Sequence, residues 1–201
     1  MTAALLPPKT KEVTERNRHW TAAEFYRAAE AGEFDDPDRL ELIHGRLRRL
    51  MQGKRHADFR ARISRRLRKA LDPPLFPRDE NPLHIAHDLE LIPDFMLTDQ
   101  EEYESRHPEP ADVELLVEVA DSSVDYDTGE KAMIYAQAGI SDYWVVLTEA
   151  KAVIVFREPS ASGYQSVTRL TGNETLSPLV LPEIIWTVET LIGREEAPKE
   201  N

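Results

Sequence analysis

Residues 114–120, ELLVEVA, are apolar on both faces except at their glutamates, and they constrain the fold more than any other stretch. A strand of this kind belongs in the middle of a sheet covered by helices, not at a solvated edge. With period-two alternation, Glu118 shares a face with Glu114, Leu116 and Ala120, whereas Leu115, Val117 and Val119 face the other way. A carboxylate at Glu118 must be paired, metal-bound or near the open end of the sheet, because burying it alone is very costly. The order of elements around this strand is helix, hairpin, helix, several strands, helix and three strands. That order predicts an α/β fold with a mixed sheet flanked by helices.

Local signals place the other elements. Thr21 and Glu24 have the spacing of a capping box, Trp20 and Phe25 that of a hydrophobic staple, and Gly32 ends the first helix. LELIHGRLRRLM reads as two strands around a His44-Gly45 turn. From Lys54 to Leu71 the period becomes helical, with Phe59, Ile63, Leu67 and Ala70 on one stripe, and LDPPLFP stops the helix. HIAHDLELI and the residues after Pro93 are extended, and 98–112 is a loop. Asp127 and Glu130 have capping-box spacing, which predicts a helix from Asp127 to Gly139. YWVVLT, AVIVFR and YQSVTRL are further strands, and a short helix lies near 187–192. Residues 1–18 read as a loose polar tail and 194–201 as a charged one, leaving one domain over 19–193.

Composition narrows the chemistry. A chain of 201 residues is long enough for one well-buried core and too short for two ordinary domains. The absence of cysteine excludes disulfides, thiol nucleophiles and thiolate zinc sites. The first residues lack the basic start and apolar length of a signal peptide, and no run approaches a membrane span, so a cytoplasmic protein with no membrane partner is expected. The net charge of −12 is unevenly spread: residues 46–69 hold 11 of the 25 Lys and Arg and one acid, leaving 14 bases against 36 acids elsewhere, a balance of −22. This asymmetry suits either contact with nucleic acid or a solvated basic helix face paired with acidic surface.

Asp94 follows Pro93 at an element boundary and can meet Glu118 on a neighbouring strand. Two such carboxylates make a hard-oxygen site suited to Mg²⁺, which keeps waters for substrate phosphate. Lys131 falls in the first turns of its helix, where the macrodipole disfavours a cation, on a stripe with Ile134, Tyr135 and Ala138. A residue that breaks a local rule is a candidate for function. Glu41 lies on the first hairpin strand, and His56 lies in the first turn of the basic helix on the Phe59 and Ile63 stripe. Taken singly, each has an ordinary structural explanation: a paired strand glutamate, a turn aspartate, a snorkelling lysine, a core-edge histidine.

At these residues the sequence resembles the Uma family of restriction endonucleases, a branch of the PD-(D/E)XK nuclease superfamily. The resemblance extends from about His19 to Gly193 in the motifs WTAAEFYRAAEAG, RLELIHGRL, RHA, NPLHIAHDLELIPDFML, LLVEVADSSVDYDTGEKAMIYAQAGISDYWVV and GNETLSPLVLPEI. It implies a restriction-endonuclease-like mixed β-sheet flanked by α-helices. It also implies a metal site of Asp94 and Glu118, with Glu41 as a further acid, Lys131 in the catalytic lysine position and His56 as an accessory residue. The residue two after Glu118 is Ala120, not the lysine of the superfamily pattern, so Lys131 has to reach back from the following helix. The implied activity is Mg²⁺-dependent hydrolysis of phosphodiester bonds, with Mn²⁺ as a substitute and DNA as the expected substrate. Arg60, Arg62, Arg65, Arg66 and Lys69 are the candidates for holding backbone phosphates. Cutting both strands of a duplex commonly uses two sites, so a homodimer is expected. The competing expectation is a catalytically silent binding or regulatory module on the same fold.

Overall fold

A computed structural model describes residues 18–50, 53–70 and 75–193. The two expected tails, apart from Arg18, lie outside the described residues.

The first helix starts where its capping box dictates. The Thr21 hydroxyl accepts from the Glu24 N–H, the Glu24 carboxylate accepts from the Thr21 N–H at 2.9 Å, and α1 spans Ala22–Glu30. Trp20 and Phe25 are both buried and pack with Leu40 and Leu42, which seats α1 on the first hairpin. That hairpin is β1 (Leu40–Ile43) and β2 (Arg46–Arg49). His44 and Gly45 both have positive φ, 46° and 75°, the backbone a two-residue turn of this hand requires. The basic helix α2 spans Lys54–Ala70, and then come β3 (Phe76–Asp79), β4 (Leu83–Ala86), β5 (Leu89–Leu91), β6 (Phe95–Thr98) and β7 (Val113–Ala120). Two short helices, α3 (Val124–Thr128) and α4 (Glu130–Gln137), lead to β8 (Asp142–Leu147), β9 (Ala152–Ser160) and β10 (Gly163–Thr171). The chain closes with a small β11–β12 pair (Thr175–Leu176 with Trp186–Thr187) and α5 (Val188–Ile192).

The strands form a four-stranded antiparallel sheet, β2-β1-β5-β4, and a six-stranded mixed sheet, β10-β9-β8-β7-β6-β3. Among the described residues only β7 and β8 pair in parallel, and α3 and α4 supply the crossover that such a pair needs. As its composition requires, β7 lies inside the sheet and is buried at every position except Glu114. Its two faces look into two cores. Leu116 and Ala120 pack with Tyr135 and Ile134 of α4, while Leu115, Val117 and Val119 pack with Ile63 and Leu67 of α2 and Leu191 of α5. The proline-rich stop after α2 gave no hint of β3, which carries Pro77 at the sheet edge, where a missing N–H costs no ladder bond. No helix among the described residues is long and apolar enough to cross a membrane.

The helix expected over Asp127–Gly139 departs from its expected start. It begins at Val124, not Asp127, and breaks at Gly129, so the Asp127–Glu130 capping box does not form. Asp127 sits inside α3, where its carboxylate accepts from the Ser123 hydroxyl at 2.5 Å. The backbone at the break has room only for glycine. A Cβ on Gly129 would lie 2.6 Å from the Asp125 carbonyl oxygen, and that neighbour is backbone, which cannot swing away. Gly129→Ala is therefore expected to lower the unfolding free energy by about 1–3 kcal/mol, seen as a lower midpoint in urea denaturation. An unchanged midpoint would show that the break tolerates a side chain.

Candidate metal and phosphodiester site

The acids gather at the seam between the two sheets. After β5 the chain leaves the small sheet through Ile92, Pro93 and Asp94 and enters the large one as β6. Phe95 pairs with Val117 in an antiparallel ladder, so the preceding residue, Asp94, comes level with Glu118. The Asp94 carboxylate accepts from the Val119 N–H at 2.7 Å, and Asp94 N–H donates to Glu118 at 3.4 Å. Glu41 reaches the same place from β1, where its Oε1 accepts from the Ile92 N–H at 3.2 Å. His56 reaches it from the first turn of α2, with Nε2 3.0 Å from Asp94 Oδ2. Nε2 shares a proton with the Asp94 carboxylate, and the other ring nitrogen, Nδ1, is buried with no hydrogen-bond partner among the described residues.

Lys131 ties the acids together. Its Nζ lies 2.9 Å from Glu41 Oε1 and 2.9 Å from Glu118 Oε1, with the three side chains at most 4% exposed. The Tyr135 hydroxyl also donates to Glu118 Oε1 at 3.0 Å, and the Tyr126 hydroxyl donates to Glu41 Oε2 at 3.4 Å. Burial opposes the charge on Lys131, but Glu118, Glu41 and Asp127 together outweigh it and hold the ammonium well above its ordinary pKa. Burial drives Glu118 well above the ordinary carboxylate range; Lys131 offsets part of this, and Asp94, Asp127 and Glu41 add repulsion. Burial likewise raises Asp127, against the stabilising influence of Lys131 and Ser123. Four buried acids thus face one buried ammonium, an excess of negative charge that a divalent cation would relieve. The donor set is mostly carboxylate oxygen, with one imidazole nitrogen to spare, and it fits Mg²⁺ or Mn²⁺.

Part of this cluster opens onto a cavity of about 410 Å³ whose walls include His56, Asp94, Glu118, Asp127, Lys131 and Arg48, while Glu41 and Tyr135 are not among its lining residues. A larger cleft of about 990 Å³ opens beside α2, but its acids, Asp58, Glu149 and Glu189, stand among Arg55, Arg62 and Lys151, and none of the buried carboxylates reaches it. The structure therefore brings Asp94, Glu118, Lys131, Glu41 and His56 together. It does not bring the arginines of α2 to them. Arg60 is ion-paired with Glu80, Arg62 donates to the Ile192 carbonyl at 3.0 Å, and Arg66 donates to the carbonyls of Leu191 and Gly193 at 2.6 and 2.8 Å. None of these three, nor Arg65 or Lys69, lines the acidic cavity.

The sequence profile of the Uma2 family, described as "Putative restriction endonuclease", matches residues 22–189. The chain belongs to the Uma2 family. Its fold is also that of the protein whose structure is titled "a putative nuclease belonging to DUF820 from Anabaena variabilis ATCC 29413", with a TM-score of 0.66 at 14% identity over 86% of this chain and 97% of that one. No curated protein matches the sequence.

Asp127, Tyr126, Tyr135 and Arg48 are site residues of this Uma2 protein that the sequence reading missed. Asp127, Lys131 and Tyr135 recur every four residues, a stripe that was available to find two of them. A separate group of possible metal ligands, His19, His87 and Asp88, lies at the hairpin turns with ligand atoms within 4.8 Å of one another, and none of the three lines the acidic cavity. Replacing Lys131 by Met leaves Glu41 and Glu118 buried with no counter-charge, so urea denaturation should show a loss of about 3–5 kcal/mol. Adding Glu41→Gln and Glu118→Gln should recover part of it. A single-variant loss below about 0.5 kcal/mol, as for an ordinary surface lysine, would show that the ammonium does not hold the cluster together.

Proposed function

We propose that this Uma2 protein is a divalent-metal-dependent endonuclease that hydrolyses phosphodiester bonds in nucleic acid, with DNA as the principal substrate and residues 19–193 as the nuclease domain. One observation carries the reading: Glu41 and Glu118 from separate sheets meet on Lys131, Asp94 bonds to Glu118 beside them, and Asp94, Glu118 and Lys131 open onto one cavity. Structural ion pairs seldom gather four acids around one amine. Such excess acidity is costly in a dry interior and becomes useful when a cation is bound there.

Asp94 and Glu118 would hold Mg²⁺ or Mn²⁺, with Glu41 as a further ligand. When bound, the ion supplies Lewis-acid polarisation of the phosphodiester and lowers the pKa of water. The protein's own groups do the rest. His56 orients Asp94 through Nε2 and offers Nδ1 as a proton acceptor for the attacking water. Lys131 uses two of its N–H groups on Glu41 and Glu118, fixes both carboxylates, and has a third to aim at the nucleophile. Tyr135, one turn further along α4, donates to the same Glu118 oxygen and helps to fix it.

Titrating Mg²⁺ and Mn²⁺ into the protein with plasmid DNA, single-stranded DNA and RNA should reveal metal-dependent cleavage that EDTA stops. Asp94→Asn and Glu118→Gln should each reduce it by at least about 100-fold. Cleavage that survives both substitutions would place the chemistry elsewhere. Absence of cleavage with every substrate and metal would leave the fold as a binding module.

A further inference from the structure

We infer that Arg48, on the edge strand β2, is the phosphate-binding residue of this site, and that nucleic acid is held by the β2 rim of the cavity instead of by α2. The inference rests on the nuclease reading above and adds to it the group that recognises the phosphodiester.

Strand register points Arg48 at the site. Glu41 and Arg48 are direct partners in the β1–β2 ladder, and directly opposed residues project from the same face of a sheet. Glu41 projects into the acidic cluster, so Arg48 does as well, and it lines the cavity. Its guanidinium lies over the Tyr126 ring, with Cζ 3.5 Å from the ring centroid. Tyr126 is itself held at the site by its bond to Glu41. Stacking on a ring occupies a face of the guanidinium and leaves its N–H groups pointing outward in the plane, the fork that matches two phosphate oxygens.

Charge bookkeeping leads to the same residue. A phosphodiester entering this cavity brings further negative charge to four buried acids. The ammonium of Lys131 is already matched by Glu41 and Glu118 at 2.9 Å each. Most arginines of α2 are engaged away from the cavity: Arg60 with Glu80, Arg62 and Arg66 with the carbonyls that end α5, and Arg68 with Asp79; Arg55, at the start of the helix, is paired with Asp121 on the cavity wall. Arg48 faces the acids yet makes no ion pair among the described residues; the partners of the nearby Glu41 are Lys131 and the Ile92 N–H at Oε1 and Tyr126 at Oε2. Its charge stays available for a ligand. Arg49 on the same strand also borders the cavity, and Arg46 is exposed beside it, so the rim continues as a short cationic edge.

The test compares wild type with Arg48→Ala and Arg48→Lys, using a fluorescent duplex oligonucleotide. Binding is followed by anisotropy in EDTA over a range of salt concentrations, and cleavage is followed in Mn²⁺. Arg48→Ala should weaken binding about tenfold and reduce the slope of log affinity against log salt by about one. It should also lower kcat/KM by about 100-fold, with Arg48→Lys recovering part of the loss because the charge returns without the fork. Wild-type binding, salt slope and kinetics in Arg48→Ala would overturn the assignment and leave the nuclease reading standing. A slope that falls with Arg62→Ala or Lys69→Ala and not with Arg48→Ala would overturn it in favour of α2. Arg48-dependent binding by a wild type that cleaves nothing would uphold the phosphate site and remove the nuclease reading. No binding and no cleavage by wild type would remove both.

Discussion

A single buried ammonium holds the functional end of this protein together. Lys131 extends from α4, the helix that bridges the two parallel strands, and bonds at once to Glu41 of the small sheet and Glu118 of the large one. Without that charge, Glu41, Asp94, Glu118 and Asp127 would repel one another across the seam between the sheets. Stability alone does not account for the arrangement, since well-packed apolar side chains of similar volume serve as well or better where buried ion pairs have been replaced. A cluster that costs desolvation and still carries surplus negative charge makes physical sense if a cation joins it. The surrounding bonds are consistent with a site fixed before any ligand arrives. The Val119 and Ile92 N–H groups donate to Asp94 and Glu41, so the backbone of the strands themselves sets the positions of two acids.

The sequence disclosed the parts of this site that break local rules. Glu118 stood out as a charge within an apolar strand, and Lys131 as a cation in the opening turns of a helix; the structure places them in contact. Asp94 was marked by the proline before it. Tyr126, Asp127 and Arg48 were less visible for reasons that are specific to each. The capping spacing of Asp127 and Glu130 is a valid signal for a helix start, but Gly129 packs against the Asp125 carbonyl and moves the start to Val124. That shift makes Asp127 an inward-facing residue and carries Tyr126 to the cavity. Arg48 needed strand register, because its neighbours Arg46 and Arg49 are chemically equivalent in sequence and only the pairing with Glu41 separates them. β3 was hidden by prolines that an edge strand tolerates.

The basic helix shows most clearly how composition and topology divide the work. Eleven cations between residues 46 and 69 look like one electrostatic surface. In three dimensions they belong to two elements with different tasks. α5 is only five residues long, too short to be stable by itself, and ends with carbonyl groups that have no partner within the helix. Arg62 and Arg66 supply that partner across more than a hundred residues of chain, a contact that no local pattern could reveal. Arg60 and Arg68 are matched by Glu80 and Asp79, which flank the end of β3. The helix is basic because it fastens the C-terminal elements and β3 to the core.

The charge left over for an external partner is therefore the charge that topology leaves unmatched. An edge strand has one side without a neighbour, so cations on β2 have fewer internal acids to answer than cations on a helix packed between elements. Arg48 also sits next to a carboxylate that already has Lys131, a backbone N–H and a tyrosine as partners, and it stacks on that tyrosine instead. The same bonds that neutralise Lys131 internally thus keep the arginine from collapsing onto the acids. A chain with a net charge of −12 can in this way present a cationic rim beside an acidic cavity.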